Sequence, residues 1–222
     1  MTAEFGIVYI GQSPRPSVEA EILPVLGDRV RLRPAGALDG LSRAEIAALA
    51  PRADEPMLFT RLTDDTPVRL SKHAVETRLV GRFDWLRSQG VKRSVLACTG
   101  DFAGLEPSPS LLYPSRLLDR AVDGVNPRRL AVLTPLDTLV DATTARWRAR
   151  GYEPTVVALT PVDDPAAADA AGRRLAAAAP DLVVFDCISY NRRHRAGVMA
   201  HVDAPALVAV DVVAHFVAAL AG

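Results

Sequence analysis

Leu182-Val183-Val184-Phe185-Asp186-Cys187-Ile188-Ser189-Tyr190 is an unbroken apolar run that ends on an acid, a cysteine and two hydroxyl-bearing residues. A short apolar stretch without polar alternation reads as a parallel strand buried on both faces. Ser94-Val95-Leu96-Ala97-Cys98-Thr99-Gly100-Asp101-Phe102 has the same character and also ends on a cysteine. Each run follows a helix. The first spans about Lys72 to Gln89, with Val75, Leu79, Phe83 and Leu86 on one face and Gly90 as its stop; the second spans Ala166 to Ala179. Leu86 and Leu175 stand equally far before Cys98 and Cys187, as do Val95 and Val184, which is a weak internal repeat. Both cysteines therefore fall where a parallel strand delivers side chains to a ligand crevice.

The same strand and helix rhythm extends outward in both directions. Phe5-Gly6-Ile7-Val8-Tyr9-Ile10 predicts a buried strand, and Gly11-Gln12-Ser13-Pro14-Arg15-Pro16 a polar loop feeding a helix that Gly27 ends. A second strand around Val30 to Leu32 and a short helix from Ser42 to Leu49 follow. Residues 57–70 hold two extended runs around Thr63-Asp64-Asp65-Thr66, a β-hairpin inserted as a lid or rim. The second half begins again with Arg129 to Pro135, a helix from about Leu136 to Arg150, a strand from Thr155 to Leu159, and a terminal strand and helix within Ala204 to Ala221. The expected class is α/β, with mainly parallel sheets in two lobes: residues 1–118 joined by 206–222, and residues 119–205.

Composition narrows the function. With 49% hydrophobic and 23% charged residues the 222-residue chain reads as globular. Lys plus Arg and Asp plus Glu number 26 each, so no net field draws the molecule to nucleic acid or to an anionic membrane. The expected partner is a small molecule. Glu4 lies where a secretory signal needs positive charge, and the apolar stretch behind it is too short for a signal core, so a cytoplasmic location is expected. In that compartment two cysteines stay reduced. They are also too few for a cysteine-only zinc site, and His73, His194, His201 and His215 show no metal-binding spacing; all four read as structural or surface residues.

Two thiols at matched strand ends suit proton transfer at carbon. A thiolate on one face removes a proton and a thiol on the other delivers one, inverting a stereocentre. Backbone N–H groups around Thr99-Gly100 and Ile188-Ser189 are candidates to hold developing negative charge. Gly11 to Arg15 forms a loop before a helix N-terminus but lacks any dinucleotide or P-loop signature. Arg61 on the hairpin is a candidate carboxylate clamp. Arg192-Arg193-His194-Arg195 reads chiefly as a solvated helix start, with an anion-facing role as the alternative.

Ile10-Gly11-Gln12-Ser13-Pro14-Arg15-Pro16, Thr60-Arg61-Leu62, Pro114-Ser115-Arg116, Cys98-Thr99-Gly100-Asp101-Phe102 and Asp186-Cys187-Ile188-Ser189-Tyr190 together resemble the AroM family. That family is similar to the aspartate/glutamate racemase superfamily, which includes hydantoin racemases, maleate isomerases and arylmalonate decarboxylases. The resemblance implies two pseudo-symmetric Rossmann-like lobes and cofactor-independent chemistry beside a carboxylate. It maps the two racemase cysteines onto Cys98 and Cys187, the expected catalytic residues; the expected substrate-binding residues are Gln12, Ser13, Arg15, Arg61, Thr99, Gly100, Thr134, Ser189 and Tyr190. Racemases carry Gly-Cys-Thr-His-Tyr at the second cysteine, so Asp186, Ile188 and Ser189 are departures. A carboxylate at position 186 that points toward the sulfur would raise the Cys187 pKa, making Cys187 the proton donor and Cys98 the base. The expected function is a racemase or epimerase of a small carboxylate compound; a cysteine-dependent decarboxylase or lyase and a non-catalytic small-molecule-binding protein are the alternatives. A homodimer is the prior for a soluble oligomer.

Overall fold

The computed structural model describes residues 2–64, 66–106 and 108–221. The first half contains β1 (Ala3–Tyr9), α1 (Pro16–Leu26), β2 (Val30–Gly36), α2 (Arg43–Ala47), a hairpin of β3 (Met57–Arg61) and β4 (Pro67–Ser71), α3 (Lys72–Ser88), β5 (Arg93–Ala97), β6 (Leu111–Leu112) and α4 (Pro114–Val125). The second half contains β7 (Leu130–Thr134), α5 (Val140–Arg148), β8 (Pro154–Ala158), α6 (Pro165–Ala176), β9 (Leu182–Phe185), α7 (Arg192–Met199), β10 (Ala206–Val208) and α8 (Ala209–Ala221).

The two halves build the same sheet. Strand order is β2-β1-β5-β6 in one and β8-β7-β9-β10 in the other, and every pairing within them is parallel. In chain order each lobe thus places its second strand outside its first, then adds the third and fourth on the other side. The antiparallel hairpin, Met57 opposite Ser71, is the insertion that separates the second and third strands of the first lobe.

Both faces of the central strands are covered. Along β1, Phe5, Ile7 and Tyr9 join one core while Val8 joins another with Leu38, Leu58, Leu70, Leu79 and Leu96. That period of two, with apolar residues in both registers, is why the strand reads as a continuous run. Helix starts follow side-chain chemistry. Ser71 accepts the Ala74 N–H at 3.2 Å to open α3, and Asn191 accepts the N–H groups of Arg193 and His194 to open α7.

The lobes exchange their last helices. Leu118 and Val122 of α4 pack with Leu130, Val132, Leu182 and Val184 beneath the second sheet. Val213 and Val217 of α8 join Val18 and Ile22 of α1 in the first. Residues 118 and 119 lie within a single helix, and residues 206–221 are divided: β10 edges the second sheet while α8 returns to the first lobe. Two features differ from the sequence reading. Helix α5 begins at Val140 because Asp137–Leu139 forms a 3₁₀ turn, and β6 is too short for an alternation pattern to reveal.

Gly36, at the end of β2, sets the loop that follows β1. A Cβ there would lie 2.5 Å from the Gly11 carbonyl oxygen and 2.6 Å from the Ser13 nitrogen, both backbone atoms. Replacing Gly36 with alanine is expected to cost about 1–3 kcal/mol, read as a lower urea midpoint. An unchanged midpoint would contradict the close approach.

Candidate active site

The C-terminal ends of β1, β5, β7 and β9 open onto one cavity of about 970 Å³ between the lobes, with the hairpin strand β3 as a further wall. Parallel strands end with their side chains and following loops directed to such a crevice. Cys98 and Cys187 both line it, and both are half-buried.

Each thiol is held in an equivalent way. The Gly100 N–H donates to Cys98 Sγ at 3.3 Å, and the Ser189 N–H, also two residues on, favours the charged form of Cys187. Gly100 allows the close turn, since a Cβ there would sit 3.4 Å from the Cys98 sulfur and 3.3 Å from the Phe102 ring. These N–H groups point at sulfur, not at open space in the cavity. Thr99 joins the two halves: its hydroxyl donates to the backbone carbonyl of Asp186 at 3.2 Å.

Burial is the main influence on both thiols. It pushes Cys98 up to about 12, aided by the charges of Cys187 and Asp186 and opposed by the Gly100 N–H and Lys72. It pushes Cys187 up to about 11, aided by Asp186 and opposed by the Ser189 N–H and hydroxyl and by Arg15. Both are neutral thiols near pH 7. Asp186 does not single out Cys187, because its charge raises both sulfurs.

Among the other residues expected at the site, Arg15, Arg61, Thr134 and Ser189 line the cavity. Arg15 spans the gap from α1 to the hairpin, donating to the Arg61 carbonyl at 2.8 Å. Thr134 is buried beside Thr143, whose hydroxyl lies 3.2 Å from its own. Gln12, Ser13 and Tyr190 do not line the cavity. Gln12 accepts the Thr63 N–H at 2.9 Å and tethers the hairpin. Ser13 donates through both its N–H, at 2.7 Å, and its hydroxyl, at 2.6 Å, to Asp39, which also accepts the Gly36 N–H. Tyr190 is fully buried, donates to the Leu159 carbonyl at 2.5 Å and packs edge-on against Phe185 and His194.

The arginines at the start of α7 face outward. Arg192 pairs with Glu21 and Arg193 with Asp163. His194 is buried against the cavity wall, with Nδ1 accepting the Asn191 N–H at 3.2 Å and Nε2 placed 2.9 Å from the Val162 carbonyl as its donor. Burial lowers its pKa and keeps it neutral. No group of three metal-ligating side chains occurs among the described residues.

Two charged features went unread in the sequence. Lys72, at the start of α3, lies 5.6 Å from the Phe102 ring centre and borders the cavity near Cys98. More extensive is a ladder from the surface to the site. Asp123 pairs with Arg150 at 2.6 Å, Arg150 reaches Asp119 at 3.4 Å, Asp119 binds Arg146, and Arg146 donates to Asp186 Oδ2 at 2.7 Å. Burial works against the charge on Arg146, but Asp186 and Asp119 more than offset it and raise its pKa. Burial raises the pKa of Asp186, with Arg146 opposing. The legible signal was spacing: Asp119 and Asp123 stand four apart on one helix, and Arg146 and Arg150 four apart across the end of the next.

Solved structures share this architecture. A doubly substituted arylmalonate decarboxylase in its liganded form aligns with 100% of this chain and 93% of its own, at TM-score 0.66 and 16% identity. Allantoin racemase from Klebsiella pneumoniae aligns over 99% and 87%, at TM-score 0.66 and 13% identity. The maleate isomerase Iso from Pseudomonas putida S16 aligns over 99% and 93%, at TM-score 0.60 and 15% identity. At these identities the likeness is one of fold. No curated protein sequence is significantly similar to the chain. A family model described as AroM protein matches residues 5–221, and on that match the chain belongs to the AroM family.

Proposed function

We propose that this protein is a cofactor-independent isomerase that racemises or epimerises a small carboxylate compound by proton transfer through Cys98 and Cys187. The observation that carries the reading is the placement of two thiols at equivalent strand ends on one cavity, each held by the N–H two residues further on. In the reaction one sulfur, as thiolate, takes the proton from the carbon beside the carboxylate: the C–H bond breaks and an S–H bond forms. The electron pair left behind spreads into the carboxylate. The opposite thiol then delivers its proton to the other face of that carbon, so its S–H bond breaks and a new C–H bond forms. The enzyme ends with thiol and thiolate exchanged.

Such a cycle needs a thiolate, and both thiols resist ionisation through burial. The opposing influences come from Lys72 at Cys98 and from Arg15 with the Ser189 hydroxyl at Cys187. Arg61, Thr99, Gly100, Thr134 and Ser189 complete the proposed substrate-binding set, whereas Gln12, Ser13 and Tyr190 act by positioning the loop, hairpin and strand end. Reduced thiols suit the cytoplasm. No helix among the described residues is long and apolar enough to cross a membrane.

Incubation with amino acids, hydantoins and unsaturated diacids in D₂O tests the reading: deuterium should appear at the carbon beside the carboxyl or carbonyl group of the true substrate. No uptake across the panel, with both thiols intact, would overturn it. Cys98→Ser and Cys187→Ser should each lower turnover by about 10²–10⁴-fold. Dependence on one cysteine alone would instead identify a lyase in which a single thiol protonates a carbanion.

Both thiol pKa values lie above the ordinary value near ~8.5, so the thiolate fraction grows as pH rises toward them. kcat/KM should climb about tenfold per pH unit between pH 7 and 9 if thiolate formation in the free enzyme limits the reaction. By the same sign, iodoacetamide should label Cys98 and Cys187 more slowly at pH 8 than it labels free cysteine, as read by peptide mass spectrometry. A pH-independent rate and fast labelling would both contradict the buried, neutral thiols.

A further inference from the structure

Asp186 is buried, with 6% of its surface exposed, and borders the cavity that holds both cysteines. Its two oxygens are treated differently. Oδ2 accepts Arg146 Nη1 at 2.7 Å, but Oδ1 is buried with no hydrogen-bond partner. Asp119, the other carboxylate on Arg146, is shared between Arg146 and Arg150. The ladder therefore pairs Asp119 on both sides and leaves one oxygen of Asp186 buried and without a hydrogen-bond partner where it reaches the site. A carboxylate oxygen kept from water without a donor is costly, and the guanidinium on Oδ2 holds the group against turning away. The neighbouring Thr99 hydroxyl donates to the Asp186 backbone carbonyl at 3.2 Å and also lies close enough to the side chain to favour its charged form.

We propose that Asp186 Oδ1 is the acceptor for an N–H or O–H donor on the substrate, which makes the ligand a small carboxylate bearing such a donor near its reacting carbon. The proposal rests on the proton-transfer reading for where the carboxylate sits, but it is tested by binding alone. It also accounts for the acid in this cleft. Asp186 raises both thiols. A substrate donor shared with Oδ1, above all a protonated amine, offsets that charge only when substrate is bound and so eases thiolate formation at that moment.

The experiment measures binding of matched acids to the full chain by calorimetry. The sets are 2-amino-, 2-hydroxy- and 2-methylpropanoate, together with their 2-phenyl counterparts and an N-carbamoyl amino acid. At least one donor-bearing member should bind about tenfold or more tightly than its methyl partner. The amine, hydroxyl and carbamoyl arms identify which donor is used. Equal affinities within every set, or no binding by any member, would overturn the proposal.

Asp186→Asn sharpens the test. Its amide oxygen must face Arg146, which only donates, so its NH₂ takes the place of Oδ1 and the acceptor becomes a donor. The donor preference should then vanish or invert; a retained preference would overturn the assignment to Asp186. Should this variant fail to fold, judged by circular dichroism, the ratios in the parent protein still decide. Deuterium exchange on the same compounds separates the two readings. Donor preference without exchange defeats the isomerase and keeps the subsite, whereas exchange without donor preference does the reverse.

Discussion

The four central strands, β1, β5, β7 and β9, are apolar on both faces, and that constraint governs where chemistry can occur. Side chains within such a strand have no route to water, so ionisable and nucleophilic groups are displaced to the ends. Val95, Leu96, Val184 and Phe185 are sealed in core, while Cys98 and Cys187, only a few residues later, are half-buried against the cavity. Because the two sheets share one strand order, their C-terminal edges offer the same geometry twice. A single cleft with thiols from both edges follows from packing two such sheets around common helices.

Much of this was legible in the sequence because buried parallel strands announce themselves. Phe5 to Ile10, Arg129 to Pro135 and the two cysteine-ended runs needed no partner to be recognised, and the Asp-rich turn marked the hairpin. Less visible were elements whose identity depends on what lies across from them. Strand β6 has only two residues, and α4 buries Leu118 and Val122 against a sheet built from later sequence. At the site, Arg15, Arg61, Thr134 and Ser189 line the cavity. Gln12, Ser13 and Tyr190 sit beside such residues in the chain but turn toward Thr63, Asp39 and Leu159. Sequence adjacency cannot separate a side chain that faces a cleft from one that supports the loop behind it.

The halves are symmetric in backbone and asymmetric in charge. Gly100 and Ser189 make matching turns beneath the two sulfurs, yet only the second lobe carries the aspartate and arginine ladder. Its exposed end at Asp123 gains little from pairing, since surface ion pairs are screened, while its inner end is shielded from water and salt alike. Arg146 is the pivot. It opposes the effect of burial on Asp186, and it does so from one side only.

The exchange of α4 and α8 between lobes also orders events in time. During synthesis β1, α1, β2 and β5 emerge early, but the apolar side of α1 that includes Val18 and Ile22 finds part of its cover only in Val213 and Val217. The second lobe has the opposite experience, since α4 precedes β7 and β9, whose Leu130, Val132, Leu182 and Val184 it packs against. Each lobe thus leaves the apolar side of one helix partly uncovered until a later segment has been made. Cys98 precedes Cys187 by 89 residues, so the two thiols can meet only after β9 has been made.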